Sequence, residues 1–359
     1  DVPTGANPDQ GCIYLGLLND YTGPYAAAAG ALELAQRAFW LWANTTGGIG
    51  GYSVAIIDGK DTGYSPAKHL EGYNAIRDEV AALAMSLGTV QTLFIMDEMD
   101  KDNMVAAPMS WYSGWGYKSF DRGLVAEFGS AYCVDGMNAL DWGLENLPKE
   151  INTVGIIAYA GEYGDDYAAG VRKAAIANGV TVSWSYVPPV AEFDVAAALG
   201  LMLTQPVDAV FSGAPLSAGP QIIGGYYQQT GALPFIFNAA PAYNDAFIAE
   251  GFPVRDLYLS GAVYNMAWVG PFETDTPGHA AMRATWGNFS DSASSYVVAG
   301  WSSQYHIKGV LEAAAKGGDL TRAGIRRAAS NVTVESDGMM TPRELGLDGP
   351  DPESTITAP

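Results

Sequence analysis

Ile13-Tyr14-Leu15-Gly16-Leu17-Leu18-Asn19-Asp20-Tyr21-Thr22-Gly23-Pro24 is a continuous apolar run that breaks off into turn residues. A half-exposed strand alternates apolar and polar positions, whereas a run that is apolar throughout fits a parallel strand covered on both faces. The next segments agree. Leu34, Ala35, Ala38, Phe39 and Trp42 recur at helical spacing and predict a helix over 30–44, stopped by Gly47-Gly48-Ile49-Gly50-Gly51. A strand is expected over 52–57, and Ser65-Pro66 offers an N-cap followed by proline in the first helical position. Further strands are expected over 80–85 and 105–108, with a helix over 91–102 between them. Residues 120–128 carry no period and read as a crossing segment. A second series begins after them: helix 137–144, strand 154–159, helix 165–178 closed by Gly179, strand 181–186, helix 195–204, strand 209–212, helix 218–230 closed by Gly231, and strand 235–238. A strand over 257–264 and helices over 297–316 and 320–330 complete it, before a turn-rich tail from Val332. Such βα alternation predicts an α/β protein with two parallel sheets, each flanked by helices.

The composition narrows the chemistry. The chain has 359 residues, enough for two domains, and a formal net charge of −21. That charge argues against nucleic acid and against an anionic membrane surface, both of which attract positive footprints. No apolar run approaches the roughly 18 residues of a membrane span, and no signal core stands at the N-terminus. Residues 1–10 read as a disordered lead-in. Cys12 and Cys133 form one disulfide or remain two buried thiols, and His69, His279 and His306 stand apart. Neither a metal nor another cofactor is expected from so sparse a ligand set. The P-loop pattern and the Gly-x-Ser-x-Gly nucleophile elbow are both missing. Asn44, Asn288 and Asn331 begin Asn-x-Ser/Thr triplets, which arise often by chance.

Open α/β sheets bind ligands beyond the carboxyl ends of their strands. Ser86-Leu87-Gly88-Thr89 and Met109-Ser110-Trp111-Tyr112 come directly after two predicted strands. They offer hydroxyls and backbone N–H groups beside a helix start, donors suited to a carboxylate. Tyr25, Trp111, Tyr112, Trp115, Tyr163, Tyr264 and Trp268 also fall near strand ends and suggest an apolar wall. Asn238 ends its strand with an amide.

Taken in order, these motifs resemble the type I solute-binding proteins of bacterial ABC transporters, nearest the leucine/isoleucine/valine-binding group. Residues 13–19 with Thr22-Gly23-Pro24 resemble that family's first strand and turn, and 44–51 its Gly-Gly-Ile turn. Asp58, Asp61 and Pro66 are similar to its second strand end and helix start. Ser86-Leu87-Gly88-Thr89 resembles the ligand loop, Val105-Ala106-Ala107-Pro108 the strand before the second loop, and Glu162-Tyr163-Gly164 the opening of the second lobe.

The resemblance implies two lobes, three interlobe crossings and a ligand held between the lobes. The crossings are expected near 120–128, 261–265 and 332–335. Lobe 1 is placed at 11–125 plus 262–333, and lobe 2 at 126–261 plus 334–359. By position, Gly88, Thr89, Ser110 and Tyr112 face the carboxylate end of the ligand, and Tyr163, Pro215, Asn238 and Ala240 face it from the second lobe. Tyr25, Trp111 and Tyr264 join them as ring contacts. Amino-acid binders of this group place an acid after the strand ending near Asn238, and here Asn238-Ala239-Ala240-Pro241 has none. Asp20, Glu162 and Asp165 are the possible substitutes. An aromatic or apolar carboxylate is the expected solute, with an amino acid or a quaternary amine as alternatives. The implied protein is a monomeric, extracytoplasmic receptor that serves a membrane permease and breaks no bond. A sensory module of the same fold, or an enzyme using Asp58 and Asp61, are the rivals.

Overall fold

Strand β1 (Cys12–Asn19) lies inside a parallel sheet, flanked by β2 (Ser53–Ile56) on one side and by β4 (Ala82–Leu87) and then β5 (Ala106–Met109) on the other. The computed structural model describes Asp9, residues 11–287 and residues 293–346. The expected lead-in (Asp9 apart), the Asn288 triplet and the last thirteen residues lie outside that range. Leu15, Leu17 and Leu18 are fully buried, as a strand covered on both faces requires. Helix α1 (Ala26–Thr45) starts four residues before the expected position. Its buried stripe is Leu32, Ala35, Phe39, Trp40 and Ala43, while Leu34 faces outward. Burying a side chain such as Phe39 contributes roughly 1.5–3 kcal/mol.

Next come β2 (Ser53–Ile56), the two-residue β3 (Lys60–Asp61), which extends the sheet along β1, and α2 (Pro66–Ile76). Then follow β4 (Ala82–Leu87), α3 (Thr89–Asp102), β5 (Ala106–Met109) and the single turn α4 (Lys118–Asp121). The unpatterned stretch after α4 is not bare linker, because Val125 bridges to Ala106 beside β5.

The chain leaves this first unit after Gly129. The second unit, Ser130–Trp268, opens with α5 (Tyr132–Asn146), β6 (Thr153–Ala158), α6 (Glu162–Asn178) and β7 (Thr181–Tyr186). It continues with α7 (Val195–Thr204), β8 (Ala209–Gly213), α8 (Gly219–Thr230) and β9 (Phe235–Asn238), and ends with the single turn α9 (Arg255–Tyr258) and β10 (Val263–Asn265). Its sheet is parallel throughout, in the order β10-β9-β8-β6-β7. Gly179 and Gly231 close α6 and α8 in left-handed conformation, as their positions predict. The strand expected over 257–264 is a helical turn followed by a strand of three residues.

The chain then returns to the first unit as α10 (Pro277–Trp286), α11 (Ser295–Lys316), α12 (Arg322–Ala329) and the antiparallel pair β11 (Val332–Val334) and β12 (Arg343–Leu345). Here the tail departs from the sequence reading. Residues 334–346, assigned above to lobe 2, belong to the first unit, and the crossing expected near 332–335 is a strand of this ribbon. The cause is local pairing. Arg343 reaches Glu127 at 2.6 Å and the Tyr305 hydroxyl bonds Asp337 at 3.0 Å. The boundaries at 129/130 and 268/269 likewise fall a few residues beyond those expected. No disulfide joins Cys12 and Cys133, of which Cys133 is buried. Among the described residues no helix is long and apolar enough to cross a membrane.

Candidate functional site

In the first unit the expected residues gather at the carboxyl ends of β1, β4 and β5. Gly88 sits between β4 and α3 at φ +101°. Only glycine adopts this freely, and a Cβ there would stand 2.1 Å from the Gln91 Oε1 atom. Thr89 opens α3, and its hydroxyl lies 2.6 Å from that of Ser110, the residue after β5. The Trp115 indole N–H donates to the same Ser110 oxygen at 3.1 Å. Both hydroxyl residues are buried. The result is a fixed hydroxyl pair at the positive end of a 14-residue helix, a setting that favours an anionic group.

The rings expected here are built into the same layer. Trp111 packs edge-on against Phe128 with centroids 4.9 Å apart, and Tyr112 against Trp115 at 5.6 Å. Tyr25 lies 5.0 Å from Tyr64. Behind them His69 Nε2 is 2.9 Å from the Ser86 hydroxyl, and burial pushes this histidine down to about 3. It is therefore neutral at ordinary pH and serves the core.

In the second unit Tyr163 stands in the first turn of α6, between Tyr132 at 4.6 Å and Tyr159 at 5.2 Å. Gly164 allows this, since a Cβ there would press to 1.8 Å from the Tyr159 carbonyl oxygen. Tyr132 and Tyr159 escaped the sequence reading. Tyr159 was absorbed into the strand, and Tyr132 precedes the predicted start of its helix. Pro215 comes after β8 and Ala240 after β9, and the Ala239 N–H donates to the Ser212 carbonyl at 2.9 Å, which draws these two loops together.

Strand alternation fixes two further side chains. Phe237 faces α5 and stacks on Phe211 at 4.9 Å and on Tyr264 at 5.2 Å. Tyr264 thus belongs to that aromatic stack, beneath Trp142, and its hydroxyl donates to the Gly261 carbonyl. It does not join the other expected site residues. Asn238, one position on, points to the opposite face, toward α8. Its amide donates to Asn265 Oδ1 at 2.9 Å, while its own Oδ1 is buried with no hydrogen-bond partner. That face encloses a cavity walled by Ile157, Val210, Ile222 and Ile236, with Ser212 and Asn238 at its polar end.

Asp20 and Asp165, named above as substitutes for the missing ammonium partner, are engaged locally. Asp20 accepts from the Gly23 N–H at 2.6 Å and from the Tyr25 N–H at 2.8 Å, shaping the turn after β1. Asp165 accepts from the Gly161 N–H at 3.0 Å and caps α6. The Glu162 side chain lies outside what the structure describes. Asp61 accepts from Thr22 and from the N–H groups of Gly63 and Tyr21; burial opposes its charge, yet these bonds hold its carboxyl below the usual range. The Asp61 carboxylate is thus a loop fastener. Asp135 is a different case that residue type alone does not reveal. Buried in the first turn of α5, it accepts from Ser130 and from the Trp268 indole at 2.8 Å, and so ties the two ends of the second unit together. Burial pushes it up to about 7 against those two hydrogen bonds, with Asp166 adding to the rise. Among the described residues no cluster of three His, Cys, Asp or Glu could hold a metal ion.

Solved structures share this fold. A fatty acid ABC transporter substrate-binding protein from Thermomonospora curvata is 23% identical over 96% of this chain and 86% of its own, with a TM-score of 0.80. A solute binding protein of an ABC transporter from Rhodopseudomonas palustris BisB5, in complex with 3,4-dihydroxy benzoic acid, is 15% identical over 91% and 87%, with a TM-score of 0.73. A branched chain amino acid ABC transporter protein from Thermus thermophilus with bound valine is 14% identical over 89% and 83%, with a TM-score of 0.71. At these identities the likeness shows the fold. A search of curated protein sequences returned no match. The family model for periplasmic binding proteins matches residues 12–351. With two parallel α/β sheets and a match across nearly its whole length, the chain belongs to the periplasmic binding protein family and is a solute-binding protein.

Proposed function

We propose that the chain is an extracytoplasmic receptor that captures a small aromatic or apolar carboxylate and presents it to the membrane permease of an ABC transporter. The observation that carries this reading is the buried Thr89–Ser110 hydroxyl pair at the N-terminus of α3. Hydroxyls and helix N–H groups neutralise a carboxylate without a buried countercharge. The tyrosines around Tyr163 offer ring faces to the apolar remainder. Capture rests on a conformational equilibrium biased by the ligand, which favours the state that binds it more tightly. Neither a nucleophile nor a general base is needed, and no bond in the solute changes. Relatives of the same fold carry a dihydroxybenzoate or a valine, so the fold accepts carboxylates with and without an ammonium. The ammonium reading is disfavoured here because Asp20 and Asp165 already accept backbone N–H groups, and an unpaired buried cation is costly.

A thermal-shift titration with benzoate, leucine and choline tests this. Benzoate raises the melting temperature through mass action, while leucine and choline leave it unchanged. Thr89→Val weakens benzoate at least about tenfold, the loss expected for a hydrogen bond to a charged group. A shift from leucine or choline without one from benzoate overturns the carboxylate assignment.

A further inference from the structure

Tyr64 stands out by its backbone. It follows Gly63 in the turn before α2, and both residues are left-handed, at φ +52° for Gly63 and φ +56° for Tyr64. Glycine takes this conformation freely and asparagine at small cost, but a bulky side chain does so rarely. Among the described residues four besides the glycines have a positive φ, and Tyr64 is the only ring among them; the others are Asn103, Arg122 and Asp337. The turn is held from several sides. Gln91 donates to the Tyr64 carbonyl at 2.7 Å, and the Thr62 N–H donates to the Asn19 carbonyl at 2.8 Å. Asp61 accepts from the Gly63 N–H and, across to the turn after β1, from the Tyr21 N–H and the Thr22 hydroxyl. Unfavoured conformations that their surroundings over-determine cluster at ligand sites.

What the turn secures is the position of a ring. Tyr64 Cε2 would stand 2.9 Å from a Cβ on Gly88, the residue before Thr89. The Tyr64 and Tyr25 centroids are 5.0 Å apart, with their planes at 50°. Tyr25 is buried and Tyr64 half-buried, so the pair keeps part of one ring exposed. Two rings from two fastened loops thus stand beside the first donors of α3, all within the first unit. Such a wall separates flat guests from puckered ones. An aryl group meets it edge-on or offset-stacked and gains more than the burial of its area, whereas a saturated ring gains the burial alone. We propose that Tyr64 is a specificity-determining residue of the solute site and that, with Tyr25, it selects aryl carboxylates over aliphatic ones. The proposal deepens the carboxylate reading and rests on it.

Calorimetry on the full chain compares benzoate with cyclohexanecarboxylate, in the wild type and in two variants. Tyr64→Asn removes the ring but suits the left-handed backbone and keeps the carbonyl that Gln91 holds, so the turn is spared. Tyr64→Phe keeps the ring and removes the hydroxyl. The wild type is expected to bind benzoate about fivefold tighter than the saturated acid, as one aromatic contact allows. Tyr64→Phe retains that ratio and Tyr64→Asn abolishes it. A role confined to the scaffold would lower both affinities together and leave their ratio alone. That result overturns the proposal, as does equal binding of the two acids by the wild type, and in either case the carboxylate reading stands. If neither acid binds the wild type, the carboxylate reading falls and takes the aryl preference with it.

Discussion

Gly88 shows what a single position contributes. Its positive φ lets the chain turn from β4 into α3, and the Gln91 side chain fills the space where a Cβ would stand while donating to the Tyr64 carbonyl at 2.7 Å. Gly88→Ala imposes an unfavourable backbone conformation and displaces Gln91. The expected loss is about 1–3 kcal/mol of unfolding free energy, read from urea denaturation as a lower midpoint at unchanged slope. The placement of Gly88, Thr89 and Ser110 at strand ends was legible from sequence, because a glycine or hydroxyl directly after a buried strand breaks sharply with the apolar run before it. Tyr264 was misplaced for a physical reason. The strand expected over 257–264 made it terminal, whereas β10 runs one residue further and its alternation turns the ring toward α5. The face that Asn238 presents depends on the same parity, which a shift of one residue reverses.

Elements were legible wherever a single period governed them. β1, β6 and β8 read as unbroken apolar runs, and α6 and α8 end at glycines that take the left-handed conformation. α10 was missed although it carries both start signals. Thr276 is its N-cap and Pro277 its first residue. Gly278 and the short span of ten residues blur the apolar stripe, whose buried members are His279, Met282 and Trp286. The cap is nonetheless well made. The Thr276 hydroxyl accepts from the His279 N–H at 3.3 Å and lies 2.7 Å from His279 Nδ1. Thr276→Ala therefore costs about 1–2 kcal/mol, and Thr276→Ser restores most of it. Thermal unfolding of both variants checks this; equal destabilisation by Ala and Ser would show that packing of the methyl group, and not the cap, is what matters. The tail was misassigned because β11 and β12 are three residues each, too short for any period to register.

At the scale of the whole molecule, the buried titratable groups set an opposed pair of pH responses. His69 and His306 are held down to about 3 by burial, so folding keeps them neutral while the unfolded chain protonates them below about 6.5. His279 shifts in the same direction. Stability from these groups is therefore lost as pH falls below about 6.5. Asp135 has the other sign. Pushed up to about 7 by burial, it stays protonated in the folded protein while the unfolded carboxyl ionises near 4, so its contribution is full below that value and is lost as pH rises toward 7. Between about 4 and 6.5 the two buried histidines outweigh the one acid, and stability rises with pH at about 1.4 kcal/mol per net proton per unit; from 6.5 to 7 the acid acts alone and stability falls. A maximum near pH 6.5 is expected in unfolding free energy from urea titrations across pH 4.5–8. Asp135→Asn keeps an acceptor and a donor between Ser130 and Trp268 but removes the titration. Its acid limb should be steeper than that of the wild type, and its fall above pH 6.5 should vanish. Superimposable profiles would mean that Asp135 is ionised in the folded state and that the link between the ends of the second unit is a charged one.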